Sequence, residues 1–368
     1  MPLDEYPVHQ VPLSMRHMAS SDRNAYDRYY FNACDRTGDV FLITGFGVYP
    51  NLGVVDAFAT LKVGDRQVSV RSSDALGDDR MQTAVGPYRI EIVEPLQELR
   101  LVHDAEGLAF DLRWRGSFPA AEEPPHLMRQ GGKVILDACR FAQVGTWEGT
   151  ISLDGADLAV DPATWVGTRD RSWGIRPVGE AEPAGRAAAE PDPDFGFWWL
   201  YLPVRLDDVA VVAVAQEDGD GHRSLNEAVR VHPDGRTEQL GWPEVEVRYR
   251  SGTRIPTGAS VRLRAGGEDL VMEVESLGFV PLNCGSGYSG DAVWNHGTWK
   301  GRGWVDRVDV DLTDPGVLGM ATFGVIDHVG RFTLRGAAGE SVGDGLFEHG
   351  SFGRHDPSGF ADFGSVAP

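Results

Sequence analysis

The stretch "GTRDRSWGIRP" (residues 167–177) sets Asp170 between Arg169 and Arg171, with Ser172, Trp173 and Gly174 next and Arg176 close behind. A carboxyl beside an indole loses hydration, which raises its pKa, while neighbouring guanidinium groups lower it. A carboxylic acid kept protonated in an apolar cleft can deliver its proton to an alkene, an enol or an epoxide. The same residues can instead hold a polar ligand group through an arginine fork. A structural reading stands beside both. There Asp170 accepts hydrogen bonds from the amides of a turn, an arginine balances its charge, and Gly174 admits a second segment at close range.

Aromatic residues concentrate further along. "FGFWWLY" (195–201) and "YSGDAVWNHGTW" (288–299) supply Trp198, Trp199, Tyr201, Tyr288, Trp294 and Trp299. Core filling accounts for some of them, and the rest could offer π faces to a flat ligand, a polyene or a passing carbocation. His296 and Asp291 lie near enough in sequence to orient a water there. A further candidate comes from an internal echo. "DRSWGIR" is matched by "HGSFGRH" (349–355), which aligns Asp170 with His349, Trp173 with Phe352 and Gly174 with Gly353, and Glu348 lies beside His349. "GTWEG" (145–149) is likewise matched by "GTWKG" (297–301), at a different offset, as a tandem with an insertion in its second half would give. In the resulting scheme Asp170 is the acid, tuned by Arg169, Arg171 and Arg176. Trp173, Tyr288 and Trp294 shape the pocket, and His296 or His349, with Asp291 or Glu348, handles water.

Other chemistries are excluded by what the chain lacks. There is no GxSxG elbow, HExxH, Walker A loop or strand-to-helix GxGxxG. The histidines of the second half, His296, His328, His349 and His355, match no metal-ligand spacing, so no metal is expected. "CGSGYSG" (284–290) has no lysine and leads into no helix, so it reads as a loop. With a formal charge of −21 and lysine at only three positions (62, 133 and 300), the chain is unsuited to nucleic acid. Cys34, Cys139 and Cys284 are odd in number and widely spaced, and are expected to be free thiols. No basic start leads into an apolar run and no window is long enough to span a membrane, so a cytoplasmic location is expected.

These residues must be positioned by strands. "YRIEIVE", "VEVRYR" (245–250) and "VDVDL" (308–312) alternate with a period of two, and turn signals such as "LDGAD" (153–157), "EDGDG" (217–221) and "HPDGR" (232–236) fall between such runs. The one candidate for a helical turn or two is "DRNAYDRYYF" (22–31). "FPAAEEPPHLMRQGG" (118–132) reads as an excursion from a sheet, and "VGEAEPAGRAAAEPDPD" (178–194) as a linker. The expected division is an extension (1–24), a first β domain (25–177), the linker, a second β domain (195–356) and a tail (357–368).

The "WVGTRDRSWG" phrase, with its D-x-x-[WF]-G element, and the two β-rich halves resemble the AttH and carotenoid 1,2-hydratase superfamily. That resemblance implies an all-β chain of two packed lipocalin-like (calycin) antiparallel barrels with an apolar pocket in or between them. It also implies cofactor-free chemistry on isoprenoid or polyketide molecules, in which an acid protonates a double bond. Asp170 is the one acid that falls on the family phrase. The expected function is therefore a cofactor-independent hydratase, cyclase or isomerase acting on an apolar terpenoid, steroid-like or polyketide partner. A non-catalytic carrier of a lipophilic ligand is the alternative. A carbohydrate-binding β-sandwich in the second half is a third reading, favoured if its aromatics lie on a flat exposed face.

Overall fold

"AYDRYYFNAC" is not helical: it runs extended as the strand Ala25–Cys34 and is buried on both faces. Tyr29, Phe31 and Ala33 point into one apolar core, while Tyr30 and Cys34 point into another on the opposite side. A strand with two apolar faces reads as a near-continuous hydrophobic run, which hides its period of two and invites a helical reading. The computed structural model describes all residues except 131–132, 182–194, 289–290, 292 and 338.

Among the described residues the strands form two curled antiparallel sheets. In the first, Ala25–Cys34 lies between Val40–Tyr49 and Val166–Ile175, and Val166–Ile175 pairs in turn with the long strand Lys133–Leu153. In the second, Gly196–Arg205 lies between Ala210–Glu217 and Gly339–Gly353, and Gly339–Gly353 pairs onward with Ile326–Gly336. Each half of the chain thus sets its first strand beside its last one, Ala25–Cys34 beside Val166–Ile175 and Gly196–Arg205 beside Gly339–Gly353, as an all-β pair of lipocalin-like units requires. The turn signals fall where expected. Asp154 and Gly155 both take positive φ (51° and 84°) in the two-residue link from Leu153 to Ala156, the geometry that matches the twist of a hairpin. One short α-helix is described, Pro315–Thr322, capped by Asp314, whose carboxylate accepts the Gly316 amide at 2.7 Å.

Three cores follow from the two sheets. Trp114, Trp147, Phe110 and Leu101 fill the first curl, and Leu200, Val261, Met272 and Phe332 fill the second. Between the sheets a third core joins Tyr30, Phe41, Ile43 and Phe58 of the first unit to Trp199, Tyr201, Val280 and Leu346 of the second.

The division at 195–356 needs one correction. Trp304–Asp311 adds to the edge of the first sheet, in register with Arg66–Ala75, while the rest of its half builds the second. The chain reaches that edge through a loop that lies over the outside of the first sheet. Cys284 O accepts from Gln67 Nε2 at 2.5 Å, Ser286 Oγ meets Thr60 Oγ1 at 2.9 Å, and the Asp56 carboxylate accepts the Gly297 amide at 2.6 Å. A Cβ on Gly287 would stand 2.1 Å from the Trp294 ring, so the chain at Gly287 is shaped by a close packing contact. "GTWEG" and "GTWKG" are not equivalent: Trp147 is buried in the first core, whereas Trp299 is half-exposed in the loop. The excursion at 118–132 folds back, with Ala121–Glu122 and His126–Gln130 pairing onto Lys133–Leu153. Of the linker, 182–194 lies outside the described residues. The cysteines are free, with Cys34 and Cys284 buried. No described helix is long and apolar enough to cross a membrane.

Asp291, expected near a water, is instead the knot of this loop. Its carboxylate accepts the amides of Gly285 (3.0 Å), Val293 (2.9 Å) and Trp294 (3.1 Å), and it pairs with the buried guanidinium of Arg71 at 3.2 Å. Removing one partner of a buried pair typically costs about 3–5 kcal/mol, and although Arg71 keeps Asp306, three amides lose their acceptor as well. Asp291→Ala is therefore expected to lower unfolding stability by about that amount, read from urea denaturation. A change below about 1 kcal/mol would show that the loop is held by its other contacts.

Candidate active site

In the three central strands of the first sheet, the even-numbered residues turn outward toward the second sheet. They are Tyr26, Arg28 and Tyr30 on the first strand, Ala138 and Arg140 on Lys133–Leu153, and Asp170 and Ser172 on Val166–Ile175, with Arg176 just beyond. Phe197, Trp199, Tyr201 and Glu348 face them from the second sheet, and Tyr288, Val325, Glu123 and His126 complete the walls. Between them lies a cleft of about 160 Å³. A second hollow of about 500 Å³ adjoins it and shares Arg28, Arg176 and Tyr288 with it.

Asp170 sits on the cleft wall opposite Tyr30 in the sheet register. Among the described residues no amide, hydroxyl or guanidinium donates to its carboxyl. Burial pushes its pKa up to about 7; Arg140 and Arg28 act to lower it, and Glu123 and Glu348 to raise it. Loss of hydration outweighs the arginines here because neither makes a direct contact.

Glu348 occupies the matching place in the second sheet, opposite Tyr201. It accepts the indole N–H of Trp199 and lies across the ladder from Asp327, with which it forms a carboxyl pair. Asp327 is fully buried and accepts the Tyr30 hydroxyl at 2.5 Å. Burial, and then the adjacent Glu348 charge, raise Asp327 well above the ordinary aspartate value, and burial raises Glu348 too. Two carboxyls this close share a proton, because both cannot be charged in a dry site. Glu123 accepts from Arg140 Nε at 2.7 Å, and that guanidinium stacks 4.3 Å from the centre of the Tyr201 ring. His126 lies flat on Trp199, with ring centres 5.7 Å apart, and burial holds it neutral, down to about 4.

Of the residues singled out from sequence, Asp170, Arg176, Trp199, Tyr201, Tyr288 and Glu348 line this cleft. The others do not, each for a definite reason. Arg169, Arg171 and Trp173 are odd-numbered and face away. Arg169 Nε donates to Gln143 at 2.8 Å, Arg171 pairs with Asp27 and covers the Tyr29 ring, and Trp173 is 41% exposed against Phe141. The indole expected beside Asp170 is therefore on the wrong face. Gly174 does admit a close neighbour, since a Cβ there would fall 2.1 Å from Asp137 O. His349 points into the second core, where its ring nitrogens meet Trp199 O at 2.7 Å and the Tyr249 hydroxyl at 3.0 Å. Burial holds its imidazole far below the usual value, down to about 3. His296 lies in the second hollow, behind Tyr288, and burial likewise keeps it neutral. Trp294 is buried between His296 and Trp304 and does not reach the cleft. Trp198 and Trp199 part company by alternation, the first into the second core and the second into the cleft. Among the described aromatics at 195–201 and 288–299, Trp299 alone is largely exposed, so they form no flat exposed face. Tyr30, Arg28, Glu123 and Arg140 complete the cleft, Asp327 is bonded to Tyr30 beside it, and none of these was placed there from sequence.

The comparisons with known proteins bear on this arrangement at the level of fold and family. The chain belongs to DUF8625, a family of unknown function, matched over residues 1–361. No curated protein matches this DUF8625 chain. Among solved structures, kievitone hydratase from Nectria haematococca is similar at 14% identity and a TM-score of 0.53, with 88% of each chain covered. A Nitrosomonas europaea protein assigned as AttH is similar at the same identity and TM-score, covering 94% of this chain and 98% of its own. The fold is thus the AttH-type pairing of two lipocalin-like units, as the phrase at 167–177 implied.

The raised Asp170 pKa carries a consequence for stability. Folded, this carboxyl keeps its proton up to about 7; unfolded, it loses it near 3.8. Between those values the native state binds the extra proton, so this group makes stability decline as pH rises from about 4 to about 7. Asp170→Asn removes that ionisation. The stability of the variant minus that of the wild type is expected to grow across this window, by on the order of a few kcal/mol, and then level off. Urea midpoints at several pH values check this, and a pH-independent difference would show an ordinary hydrated carboxyl.

Proposed function

We propose that the cleft between the two sheets is the active site of a hydratase-type enzyme that protonates a carbon–carbon double bond of an apolar terpenoid, steroid-like or polyketide molecule. One observation carries the reading: the Asp170 carboxyl stands on an aromatic-lined cleft wall, unengaged by main-chain amides, in surroundings that keep it protonated near neutral pH. A structural carboxyl would be tied into its turn, as Asp291 is.

Asp170 gives its proton to one alkene carbon, and the π pair forms the new C–H bond. Positive charge develops on the other carbon, where the faces of Trp199, Tyr201 and Tyr288 favour it. A water oxygen then forms the C–O bond and releases a proton to the singly charged Asp327–Glu348 pair, which takes the role first assigned to His296 or His349. Those histidines are held away from the cleft, while Glu348 lines it. Returning that proton to Asp170 resets the site, and the sum is addition of water with no cofactor. Where an internal hydroxyl or a neighbouring C–H replaces water, the same residues give cyclisation or isomerisation. The likeness to kievitone hydratase supports this choice among cofactor-free reactions.

The test is a panel of isoprenoid and polyene compounds incubated in ¹⁸O-labelled water, with products read by mass spectrometry. For any compound turned over, Asp170→Asn is expected to lower kcat by about 10²–10⁴ while leaving ligand affinity nearly unchanged. The wild-type rate is expected to fall as pH rises above about 7, where Asp170 loses its proton. Ligands that bind with no chemistry would identify a carrier, and full activity in the variant would remove Asp170 from the mechanism.

A further inference from the structure

Four arginines are buried among the described residues, and three of them have a hydrogen-bond or ion-pair partner. Arg71 pairs with Asp291 and Asp306, Arg169 donates to Gln143, and Arg254 donates to main-chain oxygens, among them Gly353 O at 2.8 Å. Arg28, 5% exposed, has neither a hydrogen bond nor an ion pair among the described residues. Its one close polar-face contact is the Tyr288 ring, 5.3 Å from the guanidinium carbon. Asp56, a nearby carboxyl, is engaged elsewhere, by the Gly297 amide at 2.6 Å and the Tyr49 hydroxyl at 3.1 Å. The Arg176 guanidinium is alike: on a half-buried residue, without hydrogen bond or ion pair among the described residues, 5.6 Å from the centre of the Tyr26 ring. Both side chains line the cleft and the adjoining hollow, so they stand where the two spaces meet.

A guanidinium cannot shed its proton, and burying it without hydrogen-bond acceptors is strongly unfavourable. A site that keeps such a group is completed by whatever brings the acceptors. We infer that Arg28 and Arg176 form a receptor for an oxyanion head group, so that the cleft's ligand is an acidic amphiphile: an apolar skeleton ending in a carboxylate or a phosphate. This inference rests on the cleft being the ligand site of the proposed function. With the head at the junction, the skeleton runs past Leu136, Phe197 and Trp199, which brings a double bond within the cleft that Asp170 faces. Guanidinium forks match planar carboxylates and phosphate oxygens equally, so the head's chemical source is left to measurement. The formal charge of −21 makes this cationic spot an exception to the chain's own field, hence a device for recognition rather than for steering.

Three probes with one tail and different heads test the inference: geranic acid, geranyl monophosphate and geraniol. Binding to the full chain is followed by isothermal titration calorimetry at about pH 7.5, where both acids are ionised. At least one acid is expected to bind about tenfold or more tightly than geraniol, and the tighter of the two identifies the head. Arg28→Gln and Arg176→Gln should each cut that preference to about twofold or less while leaving geraniol affinity within about twofold. Arg28→Lys, which keeps the charge and the fold's apolar contacts but loses the fork, should retain part of the preference, and thermal melts confirm folding of each variant. Equal binding of all three probes, a preference that survives both glutamine variants, or no binding by any probe would overturn the inference. Asp170→Asn should keep the head-group preference in full. Loss of turnover in that variant and loss of anion recognition in the arginine variants are separate readings, so either proposal can fail while the other stands.

Discussion

The cleft depends on one constraint: the central strands of both sheets are buried on two sides. One side fills a barrel, and the other is pressed against the partner sheet. Polar groups on that second side leave water without gaining a regular hydrogen-bonding partner. Asp170, Glu348, Asp327 and Glu123 all meet there. An ionised carboxylate in such a place is unfavourable by several kcal/mol unless it keeps its proton, shares one or acquires a cation. All three outcomes occur side by side. Asp170 keeps its proton, Asp327 and Glu348 share one, and Glu123 takes Arg140. Acid, buffer pair and neutralised pair are thus different answers to the same desolvation.

Alternation explains which parts of this were legible in the sequence. The strand character and the turn signals were, because a period of two and Asp-Gly pairs are local. Asp170 was, because its phrase is distinctive. The pairing of Asp170 with Trp173 failed on parity, since residues three apart in a strand point to opposite faces. Parity also undid the internal echo. Aligning Gly174 with Gly353 brings His349 opposite Asp170, yet Glu348 is the residue that faces the cleft. Gly353 lies one residue out of step with its counterpart, and a slip of one exchanges the faces of a strand. The echo had found the right strand and the wrong side chain. Register gives the sounder equivalence: Asp170 opposite Tyr30 in one sheet, Glu348 opposite Tyr201 in the other.

What stayed hidden depends on distant segments. Asp327 reaches Tyr30 across 297 residues of chain, and the loop after Pro281 folds onto strands, Val54–Val63 and Arg66–Ala75, that lie more than two hundred residues earlier. Nothing local in "VDVDL" tells that Asp309 will meet Arg66 and Arg307 at the edge of the first sheet. That crossing has a structural effect. The loop carrying Asp291, Trp294 and His296 leaves the second sheet at Pro281 and enters the first at Trp304, so it ties the sheets together at the flank of the cleft. Residues that looked like a second catalytic group are the fastening, and Tyr288, at its start, is the member that reaches the site.

The arginines on the cleft bear on the acid in turn. Arg140 and Arg28 are the two cations that draw the Asp170 proton affinity down, and burial overcomes them. Arg140 is already neutralised by Glu123, so its influence is fixed. Arg28 has no such partner, so its influence depends on what occupies the junction. An oxyanion seated there would cancel one of the two lowering fields and exclude water from the same space, and both changes hold the proton on Asp170 more firmly. The acid would then be most completely protonated when a ligand of the right head is bound. In the empty cleft, Arg28 would keep a larger fraction of Asp170 ionised. Coupling the charge of the ligand to the readiness of the acid needs no moving part, only an unpaired guanidinium and a carboxyl on one dry wall.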